Sequence, residues 1–171
     1  MSRKYKIGIN GLGRIGRNIL RQISNFHDFD LVFVNDPQMT PENLKYLLKF
    51  DTTYGRLSVD IQVAGQNLEI NGKLVKLFAL NDPSELRKRV ENVDLIIEAS
   101  GLSNLGPSFK NLIDLEFTKK VICTFSNKSY CDISLVLGVN EADYVKPGSW
   151  HYATFLHEIG HSLGLKHPFE E

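Results

Sequence analysis

Apolar residues along this chain alternate between two spacings, and each change of spacing marks a change of element. Residues 4–10 (KYKIGIN) read as a buried strand running into a glycine-rich turn, followed by an amphipathic helix near 14–24. Residues 30–35 (DLVFVN) form a second apolar strand, closed by Asp36-Pro37. PENLKYLLKF, at 41–50, has Pro and Glu in a first helical turn and Leu44, Leu47 and Leu48 at helical spacing. Between 57 and 80 the period falls to two. SVDIQVA and QNLEI alternate apolar and polar residues, and Asn71-Gly72 is a hairpin turn before KLVKLFAL. The pattern then predicts a helix at 84–90, a strand at 94–98, a helix near 106–115, and strands at 119–124 and 133–137.

Strands separated by helical segments need right-handed crossovers, which makes the sheet mostly parallel and covers both its faces. The expected fold is therefore α/β, with an antiparallel ribbon inserted at 57–80 and one further helix at the C-terminus. Pro147-Gly148 breaks the pattern, and the residues beyond 149 differ in composition, holding four of the five histidines. We divide the chain at that point into a domain at 1–149 and a helical tail at 150–171.

Composition narrows the function classes. Twenty basic and twenty acidic residues among 171 cancel, so no net field attracts nucleic acid or an anionic membrane. No apolar run approaches the ~18 residues of a membrane span. The opening MSRKYKIGIN passes directly into a strand, unlike a secretory leader. Cys123 and Cys131 are too few for a disulfide scaffold. A cytoplasmic protein with neither nucleic-acid nor membrane partners is expected.

The first candidate chemistry lies in Asn10-Gly11-Leu12-Gly13-Arg14-Ile15-Gly16, a G-x-G-x-x-G between a strand and a helix. Gly11 permits a tight turn, Gly13 lets backbone N–H groups approach a pyrophosphate, and Gly16 lets helix and strand pack closely. The helix N-terminus adds partial positive charge. Asp36 follows twenty residues after Gly16, at the end of the second strand. A carboxylate there accepts hydrogen bonds from ribose hydroxyls and repels a 2′-phosphate, which favours NAD over NADP. Together these features predict a Rossmann-type dinucleotide-binding unit.

KIGINGLGRIGRNILR, with VNDP, FDTTYGR, LEINGK, the EASG step and LGVN after it, resembles the NAD-binding domain of glyceraldehyde-3-phosphate dehydrogenase from about Lys4 to about Asn140. The resemblance implies NAD across the strand ends. Asn10, Gly11, Arg14 and Ile15 would lie against the pyrophosphate, Asp36-Pro37 at the adenosine ribose, and Ser100-Gly101 beside the cofactor. It also exposes departures: Asn81-Asp82-Pro83 replaces the family's Arg-Asp-Pro, and Thr124-Phe125-Ser126 replaces its Ser-Ala-Pro, setting a bulky Phe near the nicotinamide ribose. The family's catalytic Ser-Cys-Thr-Thr-Asn segment and the later histidine base have no counterpart after Asn140. Cys123 falls in an apolar strand, where packing is the expected role, and Cys131 in a loop with no histidine nearby in sequence. Dehydrogenase activity is not expected of these residues, nor is the family's tetramer, which forms mostly through its second domain.

The tail carries a second signature. His157-Glu158-Ile159-Gly160-His161 continues through Gly164 to His167, fitting H-E-x-x-H-x-x-G-x-x-H. On a helix His157 and His161 share one face, and Gly164 lets the chain return His167 as a third ligand. The stretch resembles the zinc-binding helix of metzincin metallopeptidases, closest to the serralysin-like branch. That resemblance implies zinc on His157, His161 and His167, with Glu158 as general base. The only methionines are Met1 and Met39, so the family's methionine turn after the motif has no counterpart here. Tyr152, Phe155, Leu156, Ile159 and Leu163 also form an apolar stripe, so packing against the sheet is an alternative use of the same helix. The two resemblances meet near Ser149-Trp150, where a natural fusion, a gene-assembly error and an engineered splice all fit. Three readings stand: an NAD-binding module without dehydrogenase chemistry, a zinc-dependent peptidase-like site, and an inert chimeric fragment.

Overall fold

In the computed structural model, residues 4–25, 27–51, 55–57, 59–124 and 133–134 are described. The chain opens with β1 (Tyr5–Asn10), α1 (Arg14–Ile23), β2 (Phe29–Asn35) and α2 (Pro41–Lys49). Two short strands, β3 (Phe50–Asp51) and β4 (Gly55–Arg56), pair with each other. The ribbon follows as β5 (Ile61–Ala64), β6 (Asn67–Ile70) and β7 (Lys73–Phe78). Then come β8 (Val93–Glu98), α3 (Gly106–Asp114), β9 (Thr118–Cys123) and β10 (Ile133–Ser134).

The main sheet has eight strands in the order β10-β9-β8-β1-β2-β7-β6-β5. Six of them, from β10 to β7, pair in parallel, while β5, β6 and β7 pair antiparallel as the predicted ribbon. β7 is thus both the last strand of the ribbon and the third strand of the parallel sheet. Counted along the chain, the six parallel strands run 3-2-1-4-5-6, so the order reverses between β1 and β8. The Asn71-Gly72 turn has φ of +51° and +73°, as a two-residue hairpin of this kind requires.

Two cores sandwich the sheet. On one face Ile7 and Ile9 pack with Ile19, Leu20 and Ile23 of α1 and with Leu44 and Leu48 of α2. On the other, Phe33 and Ile96 pack with Leu86 and with Phe109 and Leu112 of α3. Every residue of β8 is buried, as expected of a central parallel strand covered on both faces. Arg21 ties α1 to its neighbours, donating from Nη1 to the Leu48 carbonyl at 2.5 Å and from Nη2 to that of Gly55 at 2.9 Å.

Two features depart from the sequence expectation. The segment expected as a helix at 84–90 is a 3-10 helix at Pro83–Lys88, started by Asp82, whose side chain accepts from Ser84 N. Gly8, which carried no signal, faces the Phe33 ring so closely that a Cβ there would lie 2.1 Å from its Cζ. The β1–β2 register slips between Ile7 and Gly8, at the point where this ring is accommodated.

Candidate functional site

The strand ends on either side of the order reversal enclose a cleft of about 350 Å³. Asn10, Gly11 and Gly13 line it from the β1–α1 turn, Asp36 and Pro37 from the end of β2, and Ala99 and Ser100 from the end of β8. Leu80, Asn81 and Pro83, after β7, supply the far wall. A hollow of about 360 Å³ at the opposite strand ends, between Ile23, His27, Phe29 and Lys73, is away from the carboxyl ends where open α/β sheets place ligands.

Close backbone packing builds the turn at the cleft. Gly11 has φ of +91°, and a Cβ on it would fall 2.3 Å from Ser100 N. A Cβ on Gly16 would fall 1.9 Å from the Gly11 carbonyl oxygen. Gly13 differs: no heavy atom lies within 4 Å of its Cβ position, so its bare backbone borders open space. It is the N-cap of α1, and no side chain caps that helix. By contrast, Thr40 caps α2 by accepting from Asn43 N at 3.2 Å. Gly13 therefore brings the uncapped start of α1 to the cleft, an arrangement suited to an anion.

Asp36 stands at the edge of this turn. Its Oδ2 accepts from Leu12 N at 2.8 Å and its Oδ1 from Gln38 N at 2.9 Å. Those amides fix the carboxylate against the glycine turn. Of the other residues expected at the site, Gly101 is exposed in a left-handed conformation (φ +74°), Arg14 is exposed at the start of α1, and Ile15 packs on the core below. Gly16 is buried behind Gly11.

Beneath the cleft lies a buried polar group drawn from three of the quoted motifs, Asn10 before the glycine turn, Asn35 of VNDP and Glu98 of the EASG step. Asn10 is 3% exposed, Asn35 1% and Glu98 0%. The Asn10 amide nitrogen donates to Glu98 Oε2 at 2.6 Å, and Asn10 Oδ1 accepts from the Asn35 amide at 2.7 Å. The other Glu98 oxygen accepts from Ser100 N at 2.7 Å and from the Ser100 hydroxyl. Burial pushes the Glu98 carboxyl above the ordinary glutamate value, against the lowering effect of the Ser100 and Asn10 donors. The Asn10 side chain is thus engaged below the cleft floor. The signal available in the sequence was the acidic residue closing DLIIE, a strand otherwise nearly all apolar.

Thr124 is buried, and its hydroxyl donates to the Glu98 main-chain oxygen at 3.2 Å; Phe125 and Ser126 lie outside the described residues. Cys123 is buried at the end of β9. His157, Glu158, His161 and His167 lie outside the described residues, as does the expected tail helix. Among the described residues, no three His, Cys, Asp or Glu side chains are grouped to hold a metal. No helix among them is long and apolar enough to cross a membrane.

A parallel sheet in this order, with a glycine turn, an uncapped helix start and an acidic residue meeting where the order reverses, defines a Rossmann-type dinucleotide-binding domain. The sequence profile described as "Glyceraldehyde 3-phosphate dehydrogenase, NAD binding domain" matches residues 5–105. Over 140 residues the chain is 36% identical to glyceraldehyde-3-phosphate dehydrogenase 1 of Bacillus subtilis, covering 81% of this chain and 41% of that protein. It is 39% identical over 140 residues to the glyceraldehyde-3-phosphate dehydrogenase of Geobacillus stearothermophilus, with the same two coverages. The enzyme of Wickerhamomyces ciferrii is 36% identical over 138 residues, covering 81% of this chain and 40% of its own. The chain belongs to the glyceraldehyde-3-phosphate dehydrogenase family, as an NAD-binding domain of that type. It spans about two fifths of the length of these relatives.

Proposed function

We propose that the cleft binds NAD in preference to NADP. The Asp36 carboxylate takes the adenosine ribose, with Pro37 beside it. The Gly11–Gly16 turn and the first turn of α1, including the backbone of Arg14 and Ile15, take the diphosphate. Ser100 and Gly101 lie beside the cofactor. One observation carries this reading: Asp36 is held by Leu12 N and Gln38 N at the edge of a glycine turn whose Gly13 borders open space. Bound NAD would supply a hydride acceptor, and these residues supply its binding and orientation.

We assign no dehydrogenase reaction to this stretch. It contains no Ser-Cys-Thr-Thr-Asn segment. Titration calorimetry with NAD and NADP tests the binding reading. Saturable NAD heat is expected, with NADP weaker. Asp36→Ala, losing hydrogen bonds from a charged group worth about 1.5–3 kcal/mol, should weaken NAD by roughly ten- to a hundredfold and narrow the gap to NADP. Absence of NAD heat at millimolar concentration would end the proposal.

A second reading rests on sequence alone: His157, His161 and His167 hold one zinc ion, with Glu158 beside a metal-bound water. It is a reading of metal binding alone. Elemental analysis of untagged protein should give one zinc per chain, lost in His157→Ala with His161→Ala. Zinc-free protein, or zinc that survives both changes, rejects it.

A further inference from the structure

We propose that Glu98 is a positioning residue for the nucleotide site: its carboxylate terminates a side-chain relay, Leu80–Asn35–Asn10–Glu98, that locks the ends of β7, β2, β1 and β8 together and so sets the shape of the cleft floor. The proposal rests on the dinucleotide reading of the cleft.

The polarity of the relay runs one way. Leu80 N donates to Asn35 Oδ1 at 2.9 Å, Asn35 Nδ2 to Asn10 Oδ1 at 2.7 Å, and Asn10 Nδ2 to Glu98 Oε2 at 2.6 Å. An ionised carboxylate only accepts, so Asn10 must turn its NH2 toward Glu98 and its carbonyl toward Asn35. Asn35 must then present its own NH2, leaving Oδ1 for Leu80. Its NH2 also reaches the Leu80 carbonyl at 3.0 Å, so Asn35 grips both polar groups of that residue. Flipping either amide would set donor against donor in a buried place. The charge at one end therefore decides the orientation of two amides and the seating of a backbone segment on the other side of the sheet.

Both ends of the relay reach the cleft wall. Leu80 lines it beside Asn81, and Ser100, held by Glu98 through its amide and hydroxyl, lines it on the opposite edge. Among the described residues, the groups facing the carboxylate are uncharged: Asn10 on β1, Ser100 on the loop after β8, and Thr124 at the end of β9, which bonds the Glu98 main chain. Asp36, at the end of β2, is occupied by the Leu12 and Gln38 amides, and Arg17 on α1 donates to the Leu12 carbonyl at 2.9 Å. No charged side chain enters among the causes of the upward shift of Glu98. Protonation turns one acceptor oxygen into a hydroxyl, which leaves Asn10 or Ser100 without its acceptor and uncouples the two walls.

Nuclear magnetic resonance of the Asn10 and Asn35 side-chain amides, followed from acid through neutral pH, tests this beside NAD titrations over the same range. In the wild type both amides should shift with one shared midpoint, and NAD affinity should fall about tenfold as pH drops through it. In Glu98→Gln the amides should not titrate and NAD affinity should lose that pH dependence. Ser100→Ala removes the hydroxyl donor from the carboxylate, keeping the backbone one, and should move the shared midpoint upward, which checks the relay even if Glu98→Gln does not fold. Amides that titrate separately or not at all, or a Glu98→Gln affinity that follows the wild-type pH course, overturn the positioning role while NAD binding stands. A shared midpoint in a protein that binds no NAD refutes the nucleotide reading, and the positioning role with it.

Discussion

Replacing Gly16 by alanine would put a methyl carbon 1.9 Å from the Gly11 carbonyl oxygen and 2.9 Å from its carbonyl carbon. Both are backbone atoms, so no side chain can swing away to relieve the contact. Gly11 has little room to retreat: its N–H is bonded to Asn35 O at 2.8 Å, and the backbone of Ala99 and Ser100 stands against its Cα. Relief must come from pulling the start of α1 off the turn, which strains the Leu12 N–Asp36 bond as well. Overpacking of this kind costs about 1–3 kcal/mol, and a contact this short, against backbone, belongs at the upper end. Alanine returns up to about 1 kcal/mol as the better helix former. A net loss of about 2 kcal/mol should lower Tm by roughly 4–8 °C for a chain of this length. Gly13→Ala is the control. Its Cβ meets nothing within 4 Å and φ is −63°, so stability should stay within about 0.5 kcal/mol. NAD affinity should instead fall about tenfold, because a methyl would stand where bare backbone borders the cleft. Thermal unfolding and calorimetry on the two variants separate the effects. A Gly16→Ala protein with wild-type Tm, or a Gly13→Ala protein that loses stability and keeps affinity, would refute the geometry of the turn.

Asp82 starts the 3-10 helix at Pro83–Lys88, and hydrogen bonds from Ser108 and then Ser84 hold its carboxyl below the ordinary aspartate value. Its stabilising effect is therefore present above the unfolded aspartate value and lost as pH falls through the lower folded one. Asp82→Ala should cost about 1 kcal/mol at neutral pH, and urea unfolding in acid should show the difference closing. Glu98 works in the opposite sense, because its folded value is raised: its contribution is complete below the unfolded glutamate value and declines as pH rises through the folded one. The unfolding free energy of the wild type relative to Glu98→Gln should therefore fall with rising pH across that window, and a flat difference would contradict the burial of the charge.

Much of the fold was legible because burial imposes a period. The chain shows 3.6-residue spacing where α1 and α2 lie on the sheet, and two-residue spacing where β5 and β6 have one face covered. The stretch at 83–88 misled because its residues suit a helix while its length does not. Six residues between the Asp82 cap and Arg89 give little room for i→i−4 bonding, and the tighter i→i−3 turn takes over. The space Gly8 leaves for Phe33 was hidden because it depends on the β1–β2 register and its slip at Ile7 and Gly8, which no local pattern encodes.

The site divides along the same line. Gly11, Gly13, Gly16 and Asp36 could be read because their roles belong to one strand, turn and helix, and to a second strand twenty residues on. Asn10, Asn35 and Glu98 acquire their roles only from strand order, since parallel pairing places the ends of β1, β2 and β8 side by side. Asn10 pairs with Asn35 and Glu98 in that register, across separations of 25 and 88 residues. Each is an unlikely occupant of a buried strand end on propensity alone, and a buried carboxylate with no charged partner among the described residues weakens the fold at neutral pH. A site that only needed to pack would be better served by apolar residues at all three positions. Their presence together, with every amide orientation following from the acid, is what the proposed positioning role asks of a cleft floor whose two walls keep a fixed spacing.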